Sequence, residues 1–260
     1  MTNEFIATLS ARRPKCAAEL ERVTSARGGR TYKLPGRDEI ALPSVTTVLG
    51  KVMPKPALVN WFAKRGREAM AEYLGEYVGE PITPGLLENA VAEAKMRPRA
   101  DAQDAANLGS EAHVLIERQL KGETTHVPVA LRSVIDAFNT WPGGQDLKLL
   151  DSEVAVYTAT PGASYAGTID ALFERPDKTL VLVDFKTSKA VYPEHLVQLA
   201  AYAHAIQWMS DGPRSITSQV IRLGKEKPEF ETASIVNAPQ ALTRWKTALA
   251  LYIALLEDRA

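Results

Sequence analysis

The sequence predicts an α+β fold (mixed α/β) in which helices come first and the main sheet is built from the second half of the chain. Two changes of pattern along the 260 residues lead to this prediction. Three segments (84–97, 99–120 and about 128–141) are rich in Ala, Glu and Leu at helical spacing, whereas the segments after Asp151 alternate in polarity or are β-branched. The predicted order is helices, then β-β-β-α-β, then a final helix.

The first half is predicted to contain loops followed by helices. Up to about residue 43, short polar runs with glycines and prolines favour loops and one hairpin. Ser44 follows Pro43 and can cap a helix that includes residues 44–49. Further helices are predicted after Pro54–Pro56 and over residues 84–97, 99–120 and 128–141.

The second half is predicted to supply the sheet and two more helices. Strands are expected over residues 152–159, 165–174, 180–187 and 216–223. Helices are expected from Pro193 to Met209 and from Pro239 to Asp258.

Composition excludes several classes of protein. The chain has 45% hydrophobic and 24% charged residues, as globular proteins do, and its single cysteine, Cys16, excludes internal disulfides and cysteine-rich metal modules. No apolar run reaches the ~20 residues of a membrane helix, and no secretory signal is evident, so no membrane contact and a cytoplasmic location are expected. The 31 basic residues balance 31 acidic ones, which excludes a strongly basic protein that coats nucleic acid.

The segment from Tyr165 to Lys186 carries the strongest chemical signal. Pro176-Asp177 suits a turn, and centring the turn on Asp177 places Asp170 directly across from Asp184, with Cβ atoms ~5 Å apart. Lys186 lies two residues beyond Asp184 and therefore points to the same face, while the opposite face is apolar. A turn shifted by one residue would leave the two carboxylates diagonal.

This face has two interpretations, one chemical and one purely structural. Two carboxylates this close repel each other, and a divalent cation such as Mg²⁺ or Mn²⁺ relieves the repulsion. A lysine beside the ion can orient or deprotonate a water for attack on phosphorus. The alternative is an ordinary Asp–Lys pair on a solvated strand face.

Three further features favour the chemical interpretation. Gly167 precedes Asp170 at a Gly-x-x-Asp spacing, which allows a close approach to the backbone. Gln198 and Tyr202 share one helix face at i, i+4. His113 follows Gly109 by one helical turn, although a histidine in this setting is also common without a function.

These motifs, in this order, resemble the RecB-like branch of the PD-(D/E)XK nuclease superfamily. The resemblance implies a restriction-endonuclease-like core sheet flanked by helices over residues 101–260, preceded by residues 1–100 with a helical arch or cap. The segment Leu42–Leu49 is similar to the start of mitochondrial genome maintenance exonuclease-type proteins and their phage relatives.

The resemblance implies a metal site and a catalytic lysine. Asp170 and Asp184 would bind Mg²⁺ or Mn²⁺, with His113 as a further ligand and the Phe185 carbonyl completing the set. Lys186 would activate or position the attacking water.

The resemblance also implies contacts with DNA. Gln198 and Tyr202 would contact the DNA backbone or brace the site. The hydroxyls of Ser44, Thr46 and Thr47 would donate to phosphate, or else cap a helix. Two additional candidates are Glu153, which could touch the metal, and Trp61, which could stack on unpaired bases or pack in a core.

The expected function is a metal-dependent DNA exonuclease that prefers single-stranded DNA and acts in recombination, repair or replication, with a protein of those processes as a candidate partner. One alternative is a structure-specific flap endonuclease. Another is a non-catalytic DNA-binding protein on a nuclease scaffold, although intact Asp170, Asp184 and Lys186 argue against it.

Overall fold

The computed structural model describes residues 20–24, 30–34, 37–144, 147–210 and 212–257. Cys16 lies outside the described residues. The chain divides into two compact units, one formed by the described residues up to Met53 with those from Ala112 onward, the other by Pro54–Glu111. The division into a helical cap over 1–100 and a core over 101–260 stays a prediction.

A small antiparallel sheet opens the first unit, where the sequence predicted loops and one hairpin. Its strands are β1 (Glu21–Thr24), β2 (Arg30–Leu34) and β3 (Arg37–Pro43), paired in that order. Ser44 follows as the N-cap of helix α1 (Val45–Val52) and forms an isolated parallel bridge with Ala166. The predicted cap is therefore confirmed.

The second unit contains helix α2 (Pro56–Gly75) and most of helix α3 (Pro84–Leu120), whose last nine residues belong to the first unit. The helices predicted over 84–97 and 99–120 are confirmed as helical, but the break between them is wrong, because α3 continues through Pro98 at the cost of one backbone hydrogen bond. Gly66 allows α2 to approach α3 closely, since a Cβ there would lie 2.8 Å from the Ala94 carbonyl oxygen. Among the described helices, none is both long and apolar enough to cross a membrane.

The main sheet and its helices complete the first unit. A short 3₁₀ turn (Val129–Leu131) precedes helix α4 (Arg132–Thr140), and a second (Pro142–Gly144) follows it. The remaining elements are β4 (Lys148–Thr158), β5 (Tyr165–Glu174), β6 (Leu180–Lys186), α5 (Pro193–Met209), β7 (Ile216–Leu223), β8 (Phe230–Ser234) and α6 (Ala238–Glu257).

The five strands pair in the order β4-β5-β6-β7-β8, and only the β6–β7 pair is parallel. Helix α5 makes the crossover that a parallel pair requires. This mixed sheet with flanking helices confirms the α+β fold class, with β8 as a strand that the sequence did not predict.

Both faces of the central strands are buried, which corrects the prediction of one apolar and one polar face. On one side Phe173 and Phe185 pack edge-on against Trp141. On the other side Leu172 and Leu182 join the core beneath α5 and α6. The acidic pair therefore lies within an apolar layer, because leucines share its face of the sheet.

Candidate functional site

The hairpin of β5 and β6 has the predicted register. Ala171 pairs with Val183 and Glu174 with Leu180, so the next position along the ladder sets Asp170 opposite Asp184. Beyond Ala171 the ladder opens, and the backbone N–H of Phe185 donates to Asp170 Oδ2 at 2.7 Å. The strands thus separate where the acidic side chains lie.

Asp170 contacts His113 as well as the opened strand. His113 Nδ1 lies 3.3 Å from Asp170 Oδ1, and α3 delivers the imidazole through its last turns. Burial alone raises the pKa of Asp170, but His113, Lys186 and the Phe185 N–H together lower it below its ordinary value. Burial lowers the pKa of His113, but the charge and hydrogen bond of Asp170 outweigh burial, so the pKa of His113 is raised overall.

Asp184 is the most deeply buried group of the site, with 1% of its side chain exposed. Its Oδ2 lies 2.6 Å from Lys186 Nζ, and its Oδ1 accepts a hydrogen bond from Gln198 Nε2 at 3.0 Å. Burial, together with the like charge of Asp170, raises the pKa of Asp184 to about 6 against the pull of Lys186. The two aspartates thus differ in acidity because their neighbours differ.

Lys186 ends β6 with its ammonium group directed at this carboxylate. Burial lowers the pKa of Lys186, but the charges of Asp184 and Asp170 outweigh it and raise the pKa overall. A partly buried ammonium held by a carboxylate is a positive charge with a defined position at the site.

Gln198 and Tyr202 brace Asp184 from helix α5. Gln198 Nε2 also donates to the Tyr202 hydroxyl at 2.9 Å, and both side chains are buried. The ring of Tyr202 lies against Gly167, where a Cβ would come within 2.4 Å of Tyr202 Cε1. These contacts are the ones expected of bracing, one of the two predicted roles, and contact of either side chain with the DNA backbone stays a prediction.

A candidate metal centre lies at the opened end of the hairpin. In the described residues, ligand atoms of His113, Glu153 and Asp170 all lie within 4.8 Å of one another. Two ligands of one divalent metal ion are typically about 3 to 4.5 Å apart. Carboxylate oxygens suit ions such as Mg²⁺ and Mn²⁺, and an imidazole nitrogen suits divalent transition metals. The residues therefore fit a divalent metal.

Glu153 enters this group through an irregular backbone. Its neighbours Ser152 and Val154 pair with Ala171 and Ile169, so Glu153 lies opposite Asp170 on the far side from Asp184. Its φ of 51° is a left-handed value that non-glycine residues rarely adopt and that tends to occur at functional sites.

Asp184 and Phe185 do not belong to that close group. The carboxylate of Asp184 is engaged by Lys186 and Gln198, and its Oδ2 has no contact of hydrogen-bonding geometry in the described structure. Metal ligation by Asp184 and by the Phe185 carbonyl stays a prediction.

The three predicted phosphate donors have different surroundings. Ser44 Oγ is buried and accepts the Thr47 backbone N–H at 3.0 Å, as an N-cap does. Thr47 Oγ1 accepts the Arg30 N–H at 2.9 Å and donates to the Arg30 carbonyl at 3.0 Å. Thr46 is exposed, and DNA contact by all three residues stays a prediction.

Arg30 is a site neighbour that no sequence motif indicated. It lies close enough to Lys186 to lower the pKa of that lysine, and its backbone is fixed by Thr47 and by the Ser44 N–H at 3.2 Å. The only sequence signal for it is an excess of basic residues near the start of the chain, where residues 1–37 contain eight Lys or Arg and three Glu. The pairing with Thr47 depends on tertiary structure.

Trp61 lies in the second unit, on α2. Its ring packs edge-on against Phe62 with 5.0 Å between centroids, and both residues are partly exposed. Base stacking by Trp61 stays a prediction.

Comparisons with known proteins identify the family. Similar solved structures include SSO0001 (14% identity over 71% of this chain and 85% of that chain, TM-score 0.34) and an alkaline exonuclease, LHK-Exo, from Laribacter hongkongensis (13% over 77% and 93%, TM-score 0.35). No curated protein matches the sequence. The profile of the PD-(D/E)XK nuclease superfamily matches residues 86–258. Since that match spans more than half of the chain and includes the hairpin with Asp170, Asp184 and Lys186, the chain belongs to the PD-(D/E)XK nuclease superfamily.

Proposed function

We propose that this protein is a metal-dependent DNA exonuclease that hydrolyses phosphodiester bonds and prefers single-stranded DNA. The observation that carries the proposal is the convergence of His113, Glu153, Asp170, Asp184 and Lys186 at the opened end of one hairpin. Metal-dependent hydrolysis of a phosphodiester uses a divalent ion near the reacting phosphate, and a cation beside it can stabilise the charge that develops, so a candidate metal centre next to Lys186 supports the proposal.

Each residue of the site has a distinct part in the proposed reaction. His113, Glu153 and Asp170 would hold Mg²⁺ or Mn²⁺, which when bound stabilises negative charge on the phosphate and the leaving oxygen. Asp184, with two oxygens in contact with Gln198 and Lys186, positions the ammonium group and remains a candidate ligand. Lys186 would orient the attacking water or donate to a phosphate oxygen.

The corner formed by α1 and β2 would bind phosphate next to this centre. Thr47 and Ser44 hold the backbone of Arg30, and the charge of Arg30 reaches Lys186. A guanidinium is well suited to a phosphate group, and exposed Thr46 would add a hydroxyl. In this proposal Ser44 and Thr47 support the contact rather than make it.

Exonuclease action and a role in recombination, repair or replication rest on the likeness of Leu42–Leu49 to exonucleases of genome maintenance. Stacking of unpaired bases on Trp61 would account for a preference for single strands, at ~1–3 kcal/mol per base.

The test is cleavage of end-labelled single- and double-stranded DNA with Mg²⁺, Mn²⁺ or EDTA. We expect metal-dependent cleavage that falls by about 1000-fold in Lys186→Ala while DNA binding persists, because the lysine acts on charge that develops during the reaction. The matched control is Lys148→Ala, at the opposite end of the sheet. Labels at either end distinguish stepwise cleavage from internal cleavage, and a labelled flap substrate added to the series tests the alternative of a flap endonuclease. DNA binding without cleavage under any metal would favour a non-catalytic scaffold.

A further inference from the structure

A cavity of about 450 Å³ lies at the carboxyl ends of β6 and β7, directly beyond Lys186. Lys186 pairs with Arg222 across the two parallel strands, so the segments that leave the strands continue side by side. Thr187, Ser188 and Lys189 line the cavity from one segment, and Lys225 and Lys227 line it from the other. Adjacent strands lie about 4.8 Å apart, which places the cavity next to the candidate active site.

The loop from Gly224 to Glu229 is held in a fixed shape. The Gly224 N–H donates to the Glu229 carbonyl at 2.8 Å, and the Glu229 N–H donates to the Lys227 carbonyl at 2.8 Å. A Cβ at residue 224 would lie 2.3 Å from the Lys227 carbonyl oxygen, so the turn requires glycine. Ser133 Oγ donates to the Gly224 carbonyl at 3.0 Å and fastens the loop to α4. The lysines therefore project from an ordered backbone.

The cavity has an excess of positive charge that is not neutralised from within. Its two carboxylates belong to Glu226 and Glu229, and Glu229 already contacts Arg222 at 3.5 Å, with Glu231 on the same guanidinium at 2.8 Å. In the described part of the chain, Lys225 forms no ion pair. Burial lowers the pKa of Lys225, and no neighbouring carboxylate opposes this. A cation that forms no ion pair, in a cavity with more basic than acidic side chains, is stabilised when an anion binds.

We infer that this cavity binds a phosphodiester group of the DNA strand, as a backbone contact next to the one that is cleaved. The inference rests on the proposed function. Lys225 and Lys227 would supply the charge, and Thr187 would supply polar groups from the segment that follows the catalytic lysine. A strand whose scissile phosphate lies at Lys186 has its neighbouring phosphates within reach of this cavity, and phosphate is the anion that DNA presents.

The test uses Lys225→Gln, Lys227→Gln and the variant that carries both substitutions. Each is compared with a control variant, Lys148→Gln. Lys148 is exposed and starts β4 at the opposite end of the sheet, so it controls for the loss of charge alone. The measurement is anisotropy of a labelled single-stranded oligodeoxynucleotide in EDTA over a series of KCl concentrations. We expect the double variant to bind about 5- to 10-fold more weakly, and its salt slope to fall by roughly 0.7 for each phosphate that the protein no longer neutralises.

Two further measurements separate this role from a structural one. Lys225→Gln should unfold at about the same temperature as the wild type, because it removes an exposed charge that forms no ion pair in the described residues. The cleavage rate at saturating DNA should stay within about 3-fold, since the contact acts on binding rather than on the reacting atoms. If the wild type binds and cleaves DNA while the double variant behaves like Lys148→Gln, the cavity inference is wrong and the proposed function stands. A wild type that binds no DNA overturns both.

Discussion

Gly167 and Tyr202 are in direct contact, since a Cβ at residue 167 would come within 2.4 Å of Tyr202 Cε1. Tyr202 accepts a hydrogen bond from Gln198, which also donates to Asp184. Because residue 167 on β5 has no side chain, α5 can pack close to β5. This packing determines the positions of Tyr202 and Gln198, the groups on α5 that hold Asp184. The glycine acts on the site through helix packing.

We expect Gly167→Ala to lower the free energy of unfolding by ~1–3 kcal/mol, because the added methyl group overpacks a buried contact. Cleavage should fall as well, since Gln198 moves with Tyr202. Urea denaturation measures the first effect and DNA cleavage the second. The matched control is Gly50→Ala on α1, where a Cβ meets nothing within 4 Å, and which should leave stability unchanged or raise it by up to ~1 kcal/mol.

A double-mutant cycle with Tyr202→Ala tests the mechanism. In that background the cost of Gly167→Ala should largely disappear, because the ring that the methyl group meets has been removed. Costs that simply add would show that Gly167 is needed for another reason.

A second prediction concerns pH and the histidine on α5. The Tyr165 hydroxyl donates to the Ala201 carbonyl at 2.8 Å and lies 2.9 Å from His204 Nδ1, so the imidazole donates its Nδ1 proton to Tyr165. Burial, followed by the charge of Lys246, lowers the pKa of His204. The unfolded chain then binds more protons than the folded one just below pH 6.5, so this histidine makes stability fall as pH falls through that window.

We expect His204→Gln to remove this part of the pH dependence. As pH falls from neutral to about 5, the free energy of unfolding of the wild type should fall by more than that of the variant. The difference isolates His204 from the other groups that titrate in the same range. Urea midpoints across this range measure it, and a difference that is constant with pH would contradict the prediction.

A third prediction separates helix capping from phosphate contact at α1. Ser44→Ala should cost ~1 kcal/mol of stability, because it removes the acceptor for the Thr47 N–H. Thr46→Val, at an exposed position, should cost under ~0.5 kcal/mol and weaken DNA binding instead. Urea denaturation and oligonucleotide binding on the same two variants give both readouts. Weaker binding in Ser44→Ala at unchanged stability would reverse the assignment.

Local pattern was enough to predict the elements that build the hairpin region. The predicted bounds of α5 and β7 match the observed ones, and the register of β5 and β6 follows from the turn at Asp177. Strand β8 escaped prediction because its residues are mostly exposed and form an edge, so they carry little apolar alternation. The β1–β3 sheet likewise depends on pairing between short polar segments.

The position of Glu153 could not be predicted, for a geometric reason. The register of β4 against β5 shifts between Leu149 and Asp151, and without that irregularity Ser152 would lie opposite Asp170. One extra residue in a strand reverses which side chains share a face. The family resemblance indicated Glu153 only as a candidate, whereas the bulge sets it beside His113 and Asp170.

A fourth prediction tests the metal centre by stability rather than by catalysis. Mn²⁺ or Mg²⁺ should raise the unfolding temperature of the wild type, because an ion that binds only the folded chain adds ~2.7 kcal/mol at a hundredfold excess over its Kd. Glu153→Gln and Asp170→Asn should each remove most of this gain by replacing a charged ligand with a weaker neutral one. Glu174→Gln is the matched control, since Glu174 ends β5 far from the opened end and pairs with Lys178. If the metal stabilised Glu153→Gln as much as the wild type, Glu153 would not be a ligand. Of the three carboxylates that lie side by side on β4, β5 and β6, the ion would then be held by Asp170 and Asp184.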